Sequence, residues 1–265
     1  FRPGTMERWG LGYAELSKEN SGLIMVRVSG FGQDGPYRNR AAFGVIGEAI
    51  GGLRYLSNHA PGSSDLPPVR VGVSIGDSIA GLYAAFGIAA ALWRRDGAAN
   101  PGGGRTLDVA LADSVLSMME GTLPEYGALG TQREPCGSRI PTASPSSAYP
   151  TRDGKWILIA ANSQSLFSKL CGLMNKPDLR DDPRFSDNPA RVRNVEMLDA
   201  LIDEWTRSQN SEALSELLQG SDIPATLVYG GAEIAADPQF RHRGMVRNTF
   251  DPSFQRDLLH PGIVP

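Results

Sequence analysis

Cysteine and histidine are scarce: the 265 residues hold two of the first, Cys136 and Cys171, and three of the second, His59, His242 and His260. The cysteines lie too far apart for a metal knuckle, and no Cys or His pair stands at ligand spacing, so no metal site is expected. One disulfide would matter little to a domain of this size, which points to a reducing, intracellular and most simply cytoplasmic setting, with mitochondria or another organelle as the alternative. Excess basic charge is also lacking. With 26 Lys+Arg against 29 Asp+Glu, the net charge of −3 gives no global field for nucleic acid, so any anion site must be local. Long apolar runs are missing too. The longest, Ile79 to Trp93, is closed by Arg94, Arg95 and Asp96, is shorter than a usual membrane span, and reads as a buried helix. No signal-peptide pattern is present, but the chain opens on Phe1 rather than Met, so targeting is not decided by this reading.

What is there is an ordinary globular make-up, 41% hydrophobic and 21% charged. Met6, Trp9, Tyr13 and Leu16 at helical spacing predict a short helix over 5–18, weakened by Gly10 and Gly12. The apolar run from Gly22 to Ser29 predicts a largely buried strand that ends in the turn Gly30-Phe31-Gly32. A helix is expected over 43–56, a loop over 58–68, and an extended segment over 69–75. Gly76-Asp77-Ser78 then opens the Ala-rich helix, with Asp77 at its N-cap. A glycine-rich loop at 100–105, a strand over 106–110 and a helix over about 112–129 follow. Strand and helix alternate here, which predicts an α/β layer.

Pro, Ser, Thr and Gly cluster over 130–147, which marks a linker. Beyond it a hairpin around 147–150 and 156–161, turned by Asp153-Gly154, precedes helices near 165–174, 195–208 and 211–219 and a strand at 225–229. This divides the chain into a large α/β domain over 1–130, a linker over 131–147, a small α+β domain over 148–236, and a loop-rich segment over 237–265 that returns toward the large domain.

Asp77 is the first chemical candidate. A carboxylate at a helix start meets unpaired N–H groups and the positive end of the helix dipole, which favour negative charge, and an ionised carboxylate can be a nucleophile. Most such residues simply cap a helix, and that reading stands beside the catalytic one. Gly102-Gly103-Gly104 runs from helix to strand, the reverse of a phosphate loop, and reads as a connection. Gly30-Phe31-Gly32 follows a strand and can line a pocket. Ser74 and Ser78 lack a histidine partner, so a hydrolase triad has little support.

Read in order, Phe1-Arg-Pro-Gly4, Trp9-Gly-Leu-Gly-Tyr13, Ser29-Gly-Phe-Gly-Gln33, Gly35-Pro-Tyr37 and Pro68-Val-Arg-Val-Gly-Val-Ser-Ile-Gly-Asp77 resemble the family III CoA transferases (the CaiB/BaiF, formyl-CoA transferase-like group). Ala80-Gly-Leu-Tyr83, Ala90-Ala-Leu92, Leu107-Asp-Val-Ala-Leu111, Asp181-Asp-Pro-Arg-Phe185 and Ala236-Asp-Pro-Gln239 continue the resemblance along essentially the whole chain. It implies a Rossmann-like large domain with a smaller α+β domain, in an interlocked homodimer that shares its active sites. It also implies that N-terminal and C-terminal portions of the family lie outside this chain. The implied reaction takes an acyl-CoA and a small carboxylic acid, holds no permanent cofactor, and uses Asp77 to form a mixed anhydride and then an aspartyl-CoA thioester. Phe1, Arg2, Arg8, Ala42 and Phe43 match positions that contact or border CoA in relatives, and Gly30, Phe31 and Gly32 are oxyanion candidates. Neither nucleic acid nor a membrane is an expected partner. Gly44 departs from the acidic residue common in the family, and Arg105 from its usual Gln.

Two other functions share this scaffold. An α-methylacyl-CoA racemase needs a second acid/base opposite the Asp, supplied in racemases by a His just before the helix, where this chain has Phe43. A non-catalytic CoA-binding subunit would not need Asp77. For a dicarboxylic acceptor, Arg54 and Arg70 are the candidate partners of a second carboxylate.

Overall fold

The computed structural model describes residues 1–97 and 103–262, which fall into two compact units, 1–137 and 138–265. The expected loop at 100–105 lies partly outside the described residues, since 98–102 are not among them.

In the first unit, α1 (Thr5–Arg8) and α2 (Tyr13–Glu19) replace the single helix expected over 5–18. Gly10 takes a left-handed φ of 70° between them, a conformation that ends a helix and suits glycine. Strand β1 (Ile24–Ser29) runs parallel to β2 (Arg105–Ala110), with Ile24 opposite Arg105 and Ser29 opposite Ala110. β1 is only half-buried rather than largely buried, because β2 is its one partner among the described residues.

The crossover between these strands carries α3 (Gly44–Ile50), α4 (Leu53–Leu56) and α5 (Ile75–Asp96). The helix expected over 43–56 breaks because Gly52 adopts φ 93°. No strand forms over 69–75. Val69 and Val73 are exposed there, and Pro67 and Pro68 just before them offer no N–H to a ladder.

The long apolar run is helical but not buried as expected. Gly76, Ala80, Ala84 and Ala91 form the buried face of α5, and their small size lets the helix lie close to β1, β2 and α6. Leu82, Phe86 and Trp93 project from the other side at 71%, 75% and 82% exposure. By length and composition alone α5 is long and apolar enough to cross a membrane. After β2 come α6 (Leu111–Leu116) and α7 (Thr122–Leu129), where one helix was expected; Glu120, at φ 47°, and Gly121 separate them.

The second unit is built on the antiparallel sheet β3 (Ser146–Pro150), β4 (Trp156–Ala160) and β5 (Ala225–Leu227), in that order. Strict alternation in β4 buries Ile157 and Ile159 against Phe167, Leu170, Phe185, Leu198, Ile202, Leu214 and Leu218. These come from α8 (Gln164–Leu173), α10 (Val195–Arg207), α11 (Ser211–Gly220) and the loop before α9 (Asn188–Arg193). Arg191, on α9, is buried, donating to the carbonyls of Ser144, Phe185 and Asn162 and to Gln164 Oε1.

Beyond β5 the expected loop-rich segment is structured. After α12 (Gly231–Ala236), that segment, 237–265, holds α13 (Pro238–His242) and a hairpin of β6 (Val246–Asp251) and β7 (Arg256–Pro261). Most hairpin residues are exposed, so no alternation of apolar residues announced them.

Candidate active site

Asp77 is the third residue of α5, not its cap: Ser74 holds the N-cap position, and its carbonyl accepts from the Ser78 N–H at 3.1 Å. The helix thus begins three residues earlier than an N-cap at Asp77 would give. Asp77 still lies in the first turn, at the positive end of a 22-residue helix. Its carboxylate accepts no hydrogen bond from the described protein groups and is exposed to a cavity of about 430 Å³.

Two glycines on α3, Gly44 and Gly47, and Gly51 at its C-cap make room for this arrangement. A Cβ on Gly44 would stand 2.1 Å from Asp77 Oδ2, on Gly47 3.0 Å from Leu111 Cβ, and on Gly51 2.7 Å from Val115 Cγ1. Glycine at these spacings gives α3 a bare face onto which α5 and α6 close. Gly76 completes the junction, since a Cβ there would lie 3.0 Å from the Gly44 carbonyl. Any side chain at position 44 would therefore collide with Asp77 in this backbone.

The cavity wall is formed by Phe1, Arg2 and Pro3, by Val28, Ser29 and Gly30 at the end of β1, by Arg38 to Phe43 without Asn39, by Asp77, and by Leu111 just past β2. It thus opens at the carboxyl ends of the two parallel strands, where ligands bind in open α/β sheets. Of the residues singled out from sequence, Phe1, Arg2, Gly30, Ala42, Phe43 and Asp77 meet here. Arg8 does not line the cavity; its guanidinium donates to Thr5 Oγ1 at 3.1 Å. Phe31 lines a separate recess with Tyr37 and Leu116. Gly32, at φ 85°, belongs to a turn held from β2, where Asp108 Oδ2 accepts from the Gln33 N–H at 2.8 Å. A second cavity of about 340 Å³ shares Phe1, Arg2 and Val28 with the first and continues along Met6, Glu7, Met25 and Arg27.

Arg38 and Arg40 were missed. They sit in a loop between Gly35 and Phe43 with no periodicity, and only the folded chain turns that loop toward Asp77. Arg54 instead pairs with Glu48, which is 1% exposed, at 3.3 Å. Arg70 is exposed and is not part of the cavity wall. No histidine lines the cavity, and no group of three or more His, Cys, Asp or Glu among the described residues is placed to hold a metal ion.

Residues 1–265 match CoA-transferase family III. Succinyl-CoA–D-citramalate CoA-transferase of Chloroflexus aurantiacus is 44% identical over 265 residues, 100% of this chain and 64% of that protein. The beta subunit of succinyl-CoA–L-malate CoA-transferase from the same organism is 33% identical over 267 residues, again covering 100% of this chain and 64% of its own length. A solved CaiB/BaiF family protein from Brucella suis superposes with a TM-score of 0.80 at 30% identity, covering 98% of this chain and 69% of that one. The chain spans slightly under two thirds of the curated relatives it matches.

Proposed function

The chain belongs to CoA-transferase family III, and from that membership we propose that the protein moves CoA from an acyl-CoA donor to a free carboxylic acid, with Asp77 as nucleophile. The observation that carries this reading is a first-turn carboxylate with no hydrogen-bond partner among the described residues, exposed to a cavity whose other charged lining residues are Arg2, Arg38 and Arg40.

In the proposed course, an Asp77 oxygen attacks the thioester carbonyl and expels CoA thiolate, leaving a mixed anhydride. The thiolate then attacks the Asp77 carbonyl, which releases the donor acid and leaves an aspartyl-CoA thioester. The acceptor carboxylate attacks that thioester, thiolate leaves again, and its attack on the new acyl carbonyl yields product and restores Asp77. Every step exchanges one anionic nucleophile for another, so no general base is required. That fits a cavity wall without histidine. The Gly30 backbone and the first-turn N–H groups of α5 are the candidates for stabilising the oxyanions. Phe1 and Arg2, shared by both cavities, suit the CoA chain and its phosphates, with Ala42 and Phe43 on the border. The relatives' names make a succinyl donor and a hydroxylated dicarboxylic acceptor the first substrates to try. Interlocking with a second copy of the chain is the proposed assembly.

Racemisation of an α-methylacyl-CoA has less support, because Asp77 is the one carboxylate on the described wall and Phe43 cannot carry a proton. The test is the whole protein, wild type and Asp77→Ala, with acyl-CoA and a panel of acids in deuterated buffer. We expect transfer in the wild type, a loss of at least about a thousandfold in the variant, and no deuterium uptake at the α-carbon. A variant that still transfers CoA would remove Asp77 from the mechanism, α-deuteration without an acceptor would favour the racemase, and CoA binding without either reaction would favour a non-catalytic subunit.

A further inference from the structure

We propose that Arg38 and Arg40 are the specificity-determining residues that bind the distal carboxylate of a dicarboxylic acyl group or acceptor while its other carboxyl reacts at Asp77; this rests on the CoA-transferase reading above. The cavity beside Asp77 has three guanidinium groups, and no described carboxylate lies within ion-pair distance of any of them. They divide by position. Arg2 borders both cavities, whereas Arg38 and Arg40 border only the one that contains Asp77.

Arg40 is also held in place. Its guanidinium carbon lies 3.6 Å from the centre of the Tyr37 ring, and Tyr37 in turn meets the edge of Phe31 at 5.7 Å between centroids. Stacking leaves the in-plane N–H donors of a guanidinium free, and that fork matches a carboxylate. Phe31 thus acts through the aromatic stack rather than at the cavity wall. Arg54, the alternative that sequence suggested, is engaged by the buried Glu48, and Arg70 does not reach the wall. A neutral acyl tail would leave both arginines without an anion; a dicarboxylate supplies one.

The test compares succinate with butyrate as acceptor, from a butyryl-CoA donor labelled in its acyl group, in the whole protein. The two acids have the same chain length and differ in a distal carboxylate against a methyl. The measured quantity is the ratio of kcat/KM for succinate to that for butyrate, alongside the affinity for free CoA. Wild type is expected to favour succinate, with the ratio falling about ten- to a hundredfold in Arg38→Gln or Arg40→Gln. Arg40→Lys, which keeps charge but not the fork, should recover part of it. Equal losses for both acids, together with weaker CoA binding, would make these arginines phosphate ligands and overturn the proposal. An unchanged ratio in both glutamine variants, or a wild type with no preference for succinate, would do the same. No transfer by the wild type with any donor and acid would overturn the transferase reading itself, and this inference with it.

Discussion

A methyl group on Gly44 would stand 2.1 Å from Asp77 Oδ2 and 2.6 Å from its Cγ, well inside van der Waals contact. Gly44→Ala must therefore displace the carboxylate, while the α3 backbone, which has no positive φ at this residue, accepts alanine readily. A displacement of this size is expected to lower kcat about a hundredfold with an unchanged far-UV spectrum. Activity equal to wild type would mean that the position of Asp77 against α3 does not matter to the reaction. Sequence pointed to Asp77 through its place at a helix start, and the flanking motifs supplied the rest. It gave no sign that Gly44, which looked only like a departure from a family pattern, is the space Asp77 occupies.

Among the elements, the junction of α3, α4 and α5 depends on Glu48 and Arg54. Glu48 is 1% exposed, one carboxylate oxygen accepts from Arg54 at 3.3 Å, and the other is buried without a partner among the described residues. Removing the arginine strands a buried charge, so Arg54→Met should cost about 3 kcal/mol in urea unfolding, and a loss below the error of the fit would refute this. In the second unit, the β3–β4 turn is tied to the start of α11 by Asp153, whose carboxylate accepts from the Ser211 hydroxyl at 2.7 Å, the Ser211 N–H at 3.1 Å and the Thr151 hydroxyl at 2.8 Å. Those bonds, the one from the Ser211 hydroxyl first, lower its pKa from 3.8 to about 2. The folded form thus holds the ionised carboxylate more tightly than the unfolded chain does. Its contribution to stability is complete above pH 3.8 and fades as pH falls through about 2. The stability difference between wild type and Asp153→Ala should accordingly shrink over that window, and a difference that stays constant or grows would contradict it. Elements with a strong period were readable in sequence: β4, α8, α10 and α11 fall within a few residues of expectation. The breaks at Gly52 and Glu120 were not, because each depends on a left-handed φ that tertiary packing decides.

For the whole chain, the α/β character of one unit and the α+β character of the other followed from alternating strands and helices and from a hairpin with an Asp-Gly turn. The exposed β6–β7 hairpin had no such signal, and the apolar face of α5 that stays uncovered here misled the reading of a buried helix. The cavity is assembled from five separate stretches: Phe1 to Pro3, Val28 to Gly30, Arg38 to Phe43, Asp77, and Leu111. Such convergence is a property of the fold that no local pattern records, which is why Arg38 and Arg40 came from the structure alone. The central claim is that Asp77 carries the transferred groups in turn. Its most direct measurement is peptide mapping by mass spectrometry after the whole protein is mixed with succinyl-CoA and quenched with hydroxylamine. The account predicts a hydroxamate on Asp77 that is absent without succinyl-CoA and disappears when acceptor acid is added before the quench. A hydroxamate on another residue, or transfer that proceeds with Asp77 unmodified at every time point, would contradict it.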